Sequence, residues 1–250
     1  MVRHHHPLIT LFACAALLSA SPVCNADEAA QTTIVIPEHS TLTLKAVEPV
    51  QKRGKLIAIA GCMFAGKTEE LMRLCRRYEC AGKVVVTIKF DRDNRVSADS
   101  IDSHAGKTRR ALPANDEQSA RAHIPTNVDV VAIEEIQFFN KDIVNLVEEL
   151  VEQGVTVIVS GLDTDYRKLP FGVMPGMLTQ ADEVTKLSAI CVQCGNDARF
   201  TQRITNGKPA RWDEPTVQVG AEESYEARCR DCFEAPVPPA GWMPADGLPA

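Results

Sequence analysis

Short, continuous runs of hydrophobic residues recur along the chain and are separated by longer stretches of mixed polarity. The runs begin at Leu56, Val84, Val128 and Val155 and consist mainly of valine, isoleucine, leucine and alanine. Such runs, without polar alternation, are typical of strands that are buried on both faces of a parallel sheet. The pattern therefore predicts four such strands.

Two of the intervening stretches have the spacing of amphipathic helices. The first ends before Gly82 and the second before Gly154, and their apolar stripes are Leu71, Leu74, Cys75 and Tyr78, and Ile143, Leu146, Val147, Leu150 and Val151. Strands that alternate with helices predict an α/β fold. In that fold a mostly parallel sheet is covered by helices on both faces.

The two ends of the chain lack this pattern. Residues 1–26 have a basic start, a short apolar stretch and a small-residue exit, which is the layout of a secretory signal peptide; translated sequence upstream of the true start is the alternative. Residues 27–53 are interpreted as a linker of unknown structure, in which Ile34–Ile36 and Leu42–Leu44 favour short strands. Residues 235–250 are rich in proline, glycine and alanine, so we expect a disordered tail.

The composition is that of an ordinary globular protein. Hydrophobic residues make up 45% and charged residues 24% of the chain, which excludes collagen-like, low-complexity and multi-span membrane proteins. The 27 Lys+Arg and 33 Asp+Glu residues give a net charge of -6. Because nucleic-acid binding draws most of its affinity from neutralised phosphates, we do not expect a nucleic acid as a partner. We also expect no membrane partner.

A glycine-containing loop joins the first predicted strand to the first predicted helix. It fits the phosphate-loop pattern G-x-x-x-x-G-K-[ST], and its residues are Gly61, Cys62, Met63, Phe64, Ala65, Gly66, Lys67 and Thr68. Backbone N–H groups of such a loop converge on phosphate oxygens, and the helix N-terminus adds its dipole. Lys67 would reach the outer phosphates of a nucleoside triphosphate and Thr68 would hold Mg²⁺. The alternative, a chance glycine turn, is disfavoured by the strand–loop–helix order.

Two adjacent carboxylates follow the third predicted strand. In P-loop proteins a carboxylate at the end of a neighbouring strand orients Mg²⁺ and its waters. Glu134 and Glu135 occupy such a place. One would serve the metal, and the other would take a proton from an attacking hydroxyl. Two solvated glutamates that open a loop are the alternative.

The nine cysteines divide into scattered and paired ones. The paired ones form two C-x-x-C units, Cys191 with Cys194 and Cys229 with Cys232. Four thiolates make a closed tetrahedral site, which is typical of structural Zn²⁺. Disulfides and a redox C-x-x-C are the alternatives, but an odd total in a chain of this length does not indicate a disulfide framework. The scattered thiols indicate a reducing compartment, so we expect the cytoplasm despite the signal-like start.

Several blocks of the sequence, in order, resemble the type II (cellular, zinc-containing) thymidine kinases. The blocks are 61–71, 134–139, 161–172, 201–203 and 225–232, and the match runs from about Lys55 to Phe233. The resemblance implies a P-loop kinase domain at 54–188 and a zinc domain with a lasso-shaped loop at 189–234. It implies transfer of the γ-phosphate of ATP to the 5′-hydroxyl of thymidine, by a homotetramer or homodimer that requires Mg²⁺ and contains structural Zn²⁺.

The resemblance also implies roles for individual residues. Glu135 would be the general base. The thymine pocket would be shaped by Met63, Phe138, Phe171 and Tyr225. The ATP and Mg²⁺ side would include, besides the phosphate loop, Asp93, Arg95, Glu134 and Gln137. Ser103 and His104 match a Ser/Thr–His pair to which we assign no role.

Two positions depart from the family pattern. Glu134 stands where most relatives carry Asp, and Ala65 stands where relatives often have Ser. Displacing a reacting group by about one ångström can lower a rate on the order of a hundredfold. The main alternative is therefore an impaired or noncatalytic nucleotide-binding protein of the same fold. Two further alternatives are a kinase that prefers another nucleoside such as deoxyuridine, and an exported zinc module.

Overall fold

The computed structural model describes residues 32–36, 40–44, 53–91, 99–102, 106, 108–216 and 223–242. Internal contacts divide the chain into two units, Met1–Val50 and Gln51–Ala250. In the first unit, β1 (Thr32–Ile36) and β2 (Ser40–Leu44) pair in antiparallel fashion. The two short strands expected in this stretch are therefore present.

A six-stranded sheet lies at the centre of the second unit. The strands of this unit's first part are, in chain order, β3 (Leu56–Gly61), β4 (Val85–Phe90), β5 (Ser100–Asp102), β6 (Thr108–Arg110), β7 (Leu112–Ala114), β8 (Val130–Glu134), β9 (Thr156–Gly161) and β10 (Glu183–Leu187). The order in the sheet is β10-β3-β9-β8-β4-β7, and each neighbouring pair is parallel. β5 and β6 form a separate antiparallel pair. The predicted parallel sheet is confirmed.

Helices cover both faces of this sheet. They are α1 (Lys67–Cys80), α2 (Glu117–Ala122), α3 (Asp142–Glu152) and α4 (Met174–Gln180), together with a 3₁₀ turn at Ile136–Phe138. Successive strand residues point to opposite faces. Ile57 and Ile59 accordingly pack with Leu71 and Cys75 of α1. Leu56, Ala58 and Ala60 belong to the core that includes α3 and α4. The α/β architecture with helices on both faces is confirmed.

A small β-rich domain follows the sheet. Its strands are β11 (Ala189–Ile190), β12 (Asp197–Ala198), β13 (Phe200–Thr205), β14 (Lys208–Pro209) and β15 (Glu223–Arg228). β13 lies between β14 and β15, and both pairings are antiparallel. The core of this domain contains Cys191 and Cys229 and also Cys62 of the phosphate loop. The two parts of the second unit thus share a hydrophobic contact.

The chain after β15 has no regular secondary structure up to residue 242. In this segment Trp242 packs edge to face against Trp212, with ring centroids 4.6 Å apart. The predicted disorder of residues 235–250 and the predicted boundaries of the two domains stay predictions. Within the described ranges, the helices are too short or too polar to cross a bilayer.

Candidate active site

The phosphate loop lies between β3 and α1, in the strand–loop–helix order that the sequence predicts. Gly66 has a φ of 81°, a left-handed conformation that costs glycine little and other residues more. A side chain at Gly61 would place its Cβ 2.6 Å from the carbonyl oxygen of Leu187 on β10. The local backbone therefore explains why both positions of the motif are glycine: the left-handed φ at Gly66 and the close approach of β10 at Gly61.

The two motifs assigned to phosphate and Mg²⁺ meet at the start of α1. Thr68 Oγ1 donates a hydrogen bond of 2.5 Å to Glu134 Oε1. Lys67 is buried, and its Nζ donates to the carbonyl oxygen of Cys62 at 2.9 Å. The carboxylate was expected on a strand neighbouring β3, but β9 lies between β3 and β8. Glu134 at the end of β8 nevertheless reaches Thr68 at the start of α1, although β9 lies between β3 and β8 in the sheet.

Burial changes the ionisation of Glu134. Loss of hydration raises the pKa of this carboxyl from 4.5 to about 7, and the nearby charge of Glu135 acts in the same direction. The hydroxyl of Thr68 and the ammonium group of Lys67 oppose the rise in pKa. A carboxylate and a hydroxyl side by side are oxygen ligands of the kind that Mg²⁺ uses with nucleotide phosphates. These residues therefore fit a magnesium ion.

Glu135 lies in a strained turn directly after β8. Its φ of 54° is left-handed, which is unfavourable for a residue with a side chain. The carboxylate Oε2 accepts a 2.5 Å hydrogen bond from Gln137 Nε2. The residue is half-buried and lines a cleft beside the sheet. A carboxylate is thus held at the wall of a cavity.

This cleft has a volume of about 470 Å³, which lies in the usual range for a small-molecule site. Its lining includes Glu135 and all four residues that the resemblance places around thymine, namely Met63, Phe138, Phe171 and Tyr225. Phe138 and Phe171 pack edge to face with centroids 5.3 Å apart. The cleft therefore combines apolar walls with the carboxylate of Glu135 and with those of Asp91 and Asp165.

The four paired cysteines converge at the base of the small domain. The Sγ atoms of Cys191, Cys194, Cys229 and Cys232 all lie within 4.8 Å of one another. All four are free thiols, and the 3.5 Å between Cys194 Sγ and Cys229 Sγ is far longer than a disulfide bond of about 2.05 Å. Tetrahedral Zn²⁺ with bonds of about 2.3 Å would separate its ligands by about 3.8 Å. The cluster fits a structural zinc ion, in agreement with the prediction.

Comparison with known proteins shows to which family the chain belongs. The thymidine kinase family model matches residues 54–233. The chain is 47% identical over 190 residues to a thymidine kinase from Coprothermobacter proteolyticus, and the match covers 76% of this chain and 96% of that protein. The chain belongs to the thymidine kinase family. The resemblance that the sequence motifs indicate is therefore confirmed.

Several side chains line the cleft of this thymidine kinase family member although the sequence predicts no role for them. They are Lys89, Asp91, Thr164, Asp165, Tyr166, Thr201 and Thr216. For Lys89 a signal was present, because a charged residue near the carboxyl end of an apolar parallel strand points to a site at that edge of the sheet. Thr164, Asp165 and Tyr166 belong to the 161–172 block of the family, but their sequence pattern alone does not specify a partner.

Tyr166 and two arginines outside the cleft lining hold the segment 211–216, which leads into the loop after β14. The Tyr166 hydroxyl donates toward the carbonyl oxygens of Glu214 at 2.7 Å and Arg211 at 3.0 Å. Arg203 has 0% exposure, and its guanidinium donates to the carbonyl oxygen of Pro215 at 2.5 Å. Arg167 Nη2 donates to Thr216 Oγ1 at 2.7 Å. This part of the lasso is therefore tied to β13 and to the 161–172 block.

The small domain also contacts the phosphate loop. Met63 N donates to Thr201 Oγ1 at 3.0 Å, and Cys62 Sγ donates to the carbonyl oxygen of Ala198 at 3.4 Å. Burial raises the pKa of the Cys62 thiol, which keeps the proton needed for this bond. Disturbing the small domain is therefore expected to disturb the phosphate loop.

Four residues named in the sequence analysis lie outside the described residues. They are Asp93, Arg95, Ser103 and His104. The predicted place of Asp93 and Arg95 beside the donor phosphates therefore stays a prediction.

Proposed function

We propose that the protein transfers the γ-phosphate of ATP to the 5′-hydroxyl of thymidine, giving ADP and thymidine monophosphate. One observation carries the residue assignment: Glu135 shares a cleft with Met63, Phe138, Phe171 and Tyr225. Membership of the thymidine kinase family supports both substrates. Apolar and aromatic walls suit a flat pyrimidine base, and a carboxylate beside them suits a hydroxyl that must lose its proton.

The nucleoside half of the reaction depends on Glu135. Its carboxylate takes the proton of the 5′-hydroxyl while that oxygen forms a bond to the γ-phosphorus. The bond from the γ-phosphorus to the bridging oxygen breaks, and ADP leaves with that electron pair. Thr216 is part of the segment 211–216, Tyr166 holds that segment through a hydrogen bond, and both residues line the cleft. They limit the access of water to the phosphoryl group, which favours transfer over hydrolysis.

The phosphate half of the reaction depends on the loop before α1. Its N–H groups, the α1 dipole and Lys67 bind and neutralise the phosphates of ATP. Thr68 and Glu134 would hold Mg²⁺, which supplies further charge neutralisation when bound. Phosphoryl transfer needs such positioning more than covalent help, so the backbone cradle remains effective with Ala65 in the loop.

The zinc site has a structural role in this proposal. Four cysteine ligands leave no open position for a substrate. Zn²⁺ would instead fix the ends of the small domain, from which the lasso extends to the cleft. On the family resemblance we also propose a homotetramer or homodimer. A cytoplasmic location is proposed because the reaction requires ATP and the zinc site requires reduced thiols.

The test is product formation with Mg²⁺-ATP and thymidine, measured together with ATP binding by calorimetry. Thymidine monophosphate as the product is the expected result, and deoxyuridine in competition tests the choice of base. ATP binding without product would favour the noncatalytic alternative. In that case Glu134→Asp distinguishes an impaired kinase from a noncatalytic nucleotide-binding protein, because a large gain in turnover identifies an impaired kinase.

A further inference from the structure

The side chain of Gln137 lies between the Glu135 carboxylate and the backbone that follows β9. Its Nε2 donates to Glu135 Oε2 at 2.5 Å, and its Oε1 accepts from the backbone N–H of Leu162 at 3.2 Å. The residue is only 3% exposed. Because each end of the amide has a partner of the opposite kind, its orientation is fixed: nitrogen toward the carboxylate and oxygen toward the N–H.

Two glycines make room for Gln137. A Cβ at Gly161 would lie 2.3 Å from Gln137 Oε1, and a Cβ at Gly172 would lie 2.0 Å from the Gln137 carbonyl oxygen. Both distances are too short for any side chain. The block 161–172 therefore encloses Gln137 closely, and the amide has little freedom to move away from Glu135.

Glu135 needs such a constraint. Its side chain has several rotatable bonds, and the residue is half-buried in an open cleft. A flexible carboxylate would occupy several rotamers, whereas proton transfer needs one geometry within hydrogen-bond reach of the hydroxyl. The hydrogen bond from the buried amide of Gln137 favours one rotamer of the Glu135 carboxylate.

We infer that Gln137 is a positioning residue for Glu135. Its amide holds Oε2 of the carboxylate and leaves Oε1 to receive the proton of the nucleoside. The inference rests on the proposed function of Glu135 as the base. It differs from the ATP-side role that the family resemblance implies for Gln137, which stays a prediction; the two contacts of this amide lead to the base and to the Leu162 backbone.

Two substitutions separate this role from a structural one. Gln137→Glu keeps the shape and the acceptor for Leu162 N but replaces the donor with an oxygen, and Gln137→Met removes donor and acceptor. We expect both to lower kcat by about 10- to 100-fold, since small misplacements of a reacting group cost this much. The KM values for ATP and thymidine are expected to change by less than about twofold. The same two changes at Gln180, an exposed residue of α4, are the matched controls.

A double-mutant cycle with Glu135→Gln then tests the coupling. If Gln137 acts through Glu135, the substitution lowers kcat in the parent and has little further effect on the residual rate of Glu135→Gln. Equal losses in both backgrounds would overturn the inference, and so would a raised KM for ATP with unchanged kcat. These results leave the proposed function standing, whereas a parent without thymidine phosphorylation would overturn both. Thermal unfolding of each variant identifies losses that come from misfolding.

Discussion

The buried carboxyl of Glu134 makes the stability of the nucleotide-free protein depend on pH. Its pKa is about 7 in the folded protein, against 4.5 for an exposed glutamate, chiefly because burial penalises the charged form. Below pH 4.5 this carboxyl is protonated in both states. As the pH rises toward 7, the unfolded chain releases the proton first, so the free energy of unfolding falls. Above about pH 7 the full loss is present.

The size of this effect follows from the two pKa values. A change from 4.5 to about 7 corresponds to about 3 kcal/mol, at 1.36 kcal/mol per pKa unit. Glu134→Gln removes the titration and keeps an acceptor for Thr68. The variant is therefore expected to gain stability relative to the parent between pH 5 and pH 8, by up to about 3 kcal/mol.

Urea unfolding of the parent and of Glu134→Gln at pH 5 and at pH 8, without Mg²⁺ or ATP, measures this difference in the free energy of unfolding. Taking the difference between the two proteins cancels the titration of other groups. Glu152→Gln, an exposed position on α3, is the matched control and is expected to show no such gain. A difference between parent and Glu134→Gln that stays constant from pH 5 to pH 8 would contradict the raised pKa of Glu134 in the folded protein.

Three further predictions concern the surroundings of the site. Removing zinc with a chelator, or substituting Cys232→Ala, is expected to lower Tm and raise the KM for thymidine, because the base of the lasso loosens; Cys80→Ala, at an exposed free thiol, should change neither. Gly172→Ala should destabilise the protein by roughly 2 kcal/mol or more, the order of magnitude for backbone strain and overpacking together. The φ of Gly172 is +52°, and a Cβ there would lie 2.0 Å from the Gln137 carbonyl oxygen. Gly176→Ala in α4, where a Cβ meets nothing within 4 Å, should be neutral or stabilising in the same thermal unfolding assay. Trp242→Phe should change the emission of Trp212 and the response of that emission to thymidine, because the chain has 2 tryptophans and their rings are in contact; an unchanged spectrum of the remaining tryptophan would contradict this contact.

The parts of the fold that could be predicted are those in which local pattern and burial agree. β3, β8 and β9 are continuous apolar runs because both faces of each strand are covered, and α1 and α3 carry clear apolar stripes. β10 escaped prediction because it is an edge strand with charged residues at Glu183 and Lys186. α4 is only one to two turns long, too short for periodicity to reveal it.

The site shows the same division. The phosphate loop and the cysteine pairs are local motifs, so their chemistry could be read directly from spacing. The cleft is different, because Met63, Phe138, Phe171 and Tyr225 come from four separate segments, and it was family resemblance rather than spacing that grouped them. The contact of Gln137 with Glu135 depends on the left-handed turn at Glu135, which the sequence does not specify.

Arg203 illustrates what tertiary structure alone reveals. Arginine is normally exposed, yet this side chain is fully buried beneath the lasso segment and donates to the Pro215 carbonyl oxygen. This acceptor lies on an irregular segment after β14, whose path local sequence does not specify. A sequence pattern of Thr-Gln-Arg therefore indicates the family but not the contact.

Glu135 is proposed as the general base of a thymidine phosphoryl transfer. The most direct measurement is the single-turnover rate of thymidine monophosphate formation, at saturating Mg²⁺-ATP and thymidine, for the parent and Glu135→Gln. We predict a rate lower by about 10²- to 10⁴-fold in the variant, the usual contribution of a positioned base, with thymidine binding retained. Equal single-turnover rates for the two proteins would contradict the assignment of Glu135 as the base.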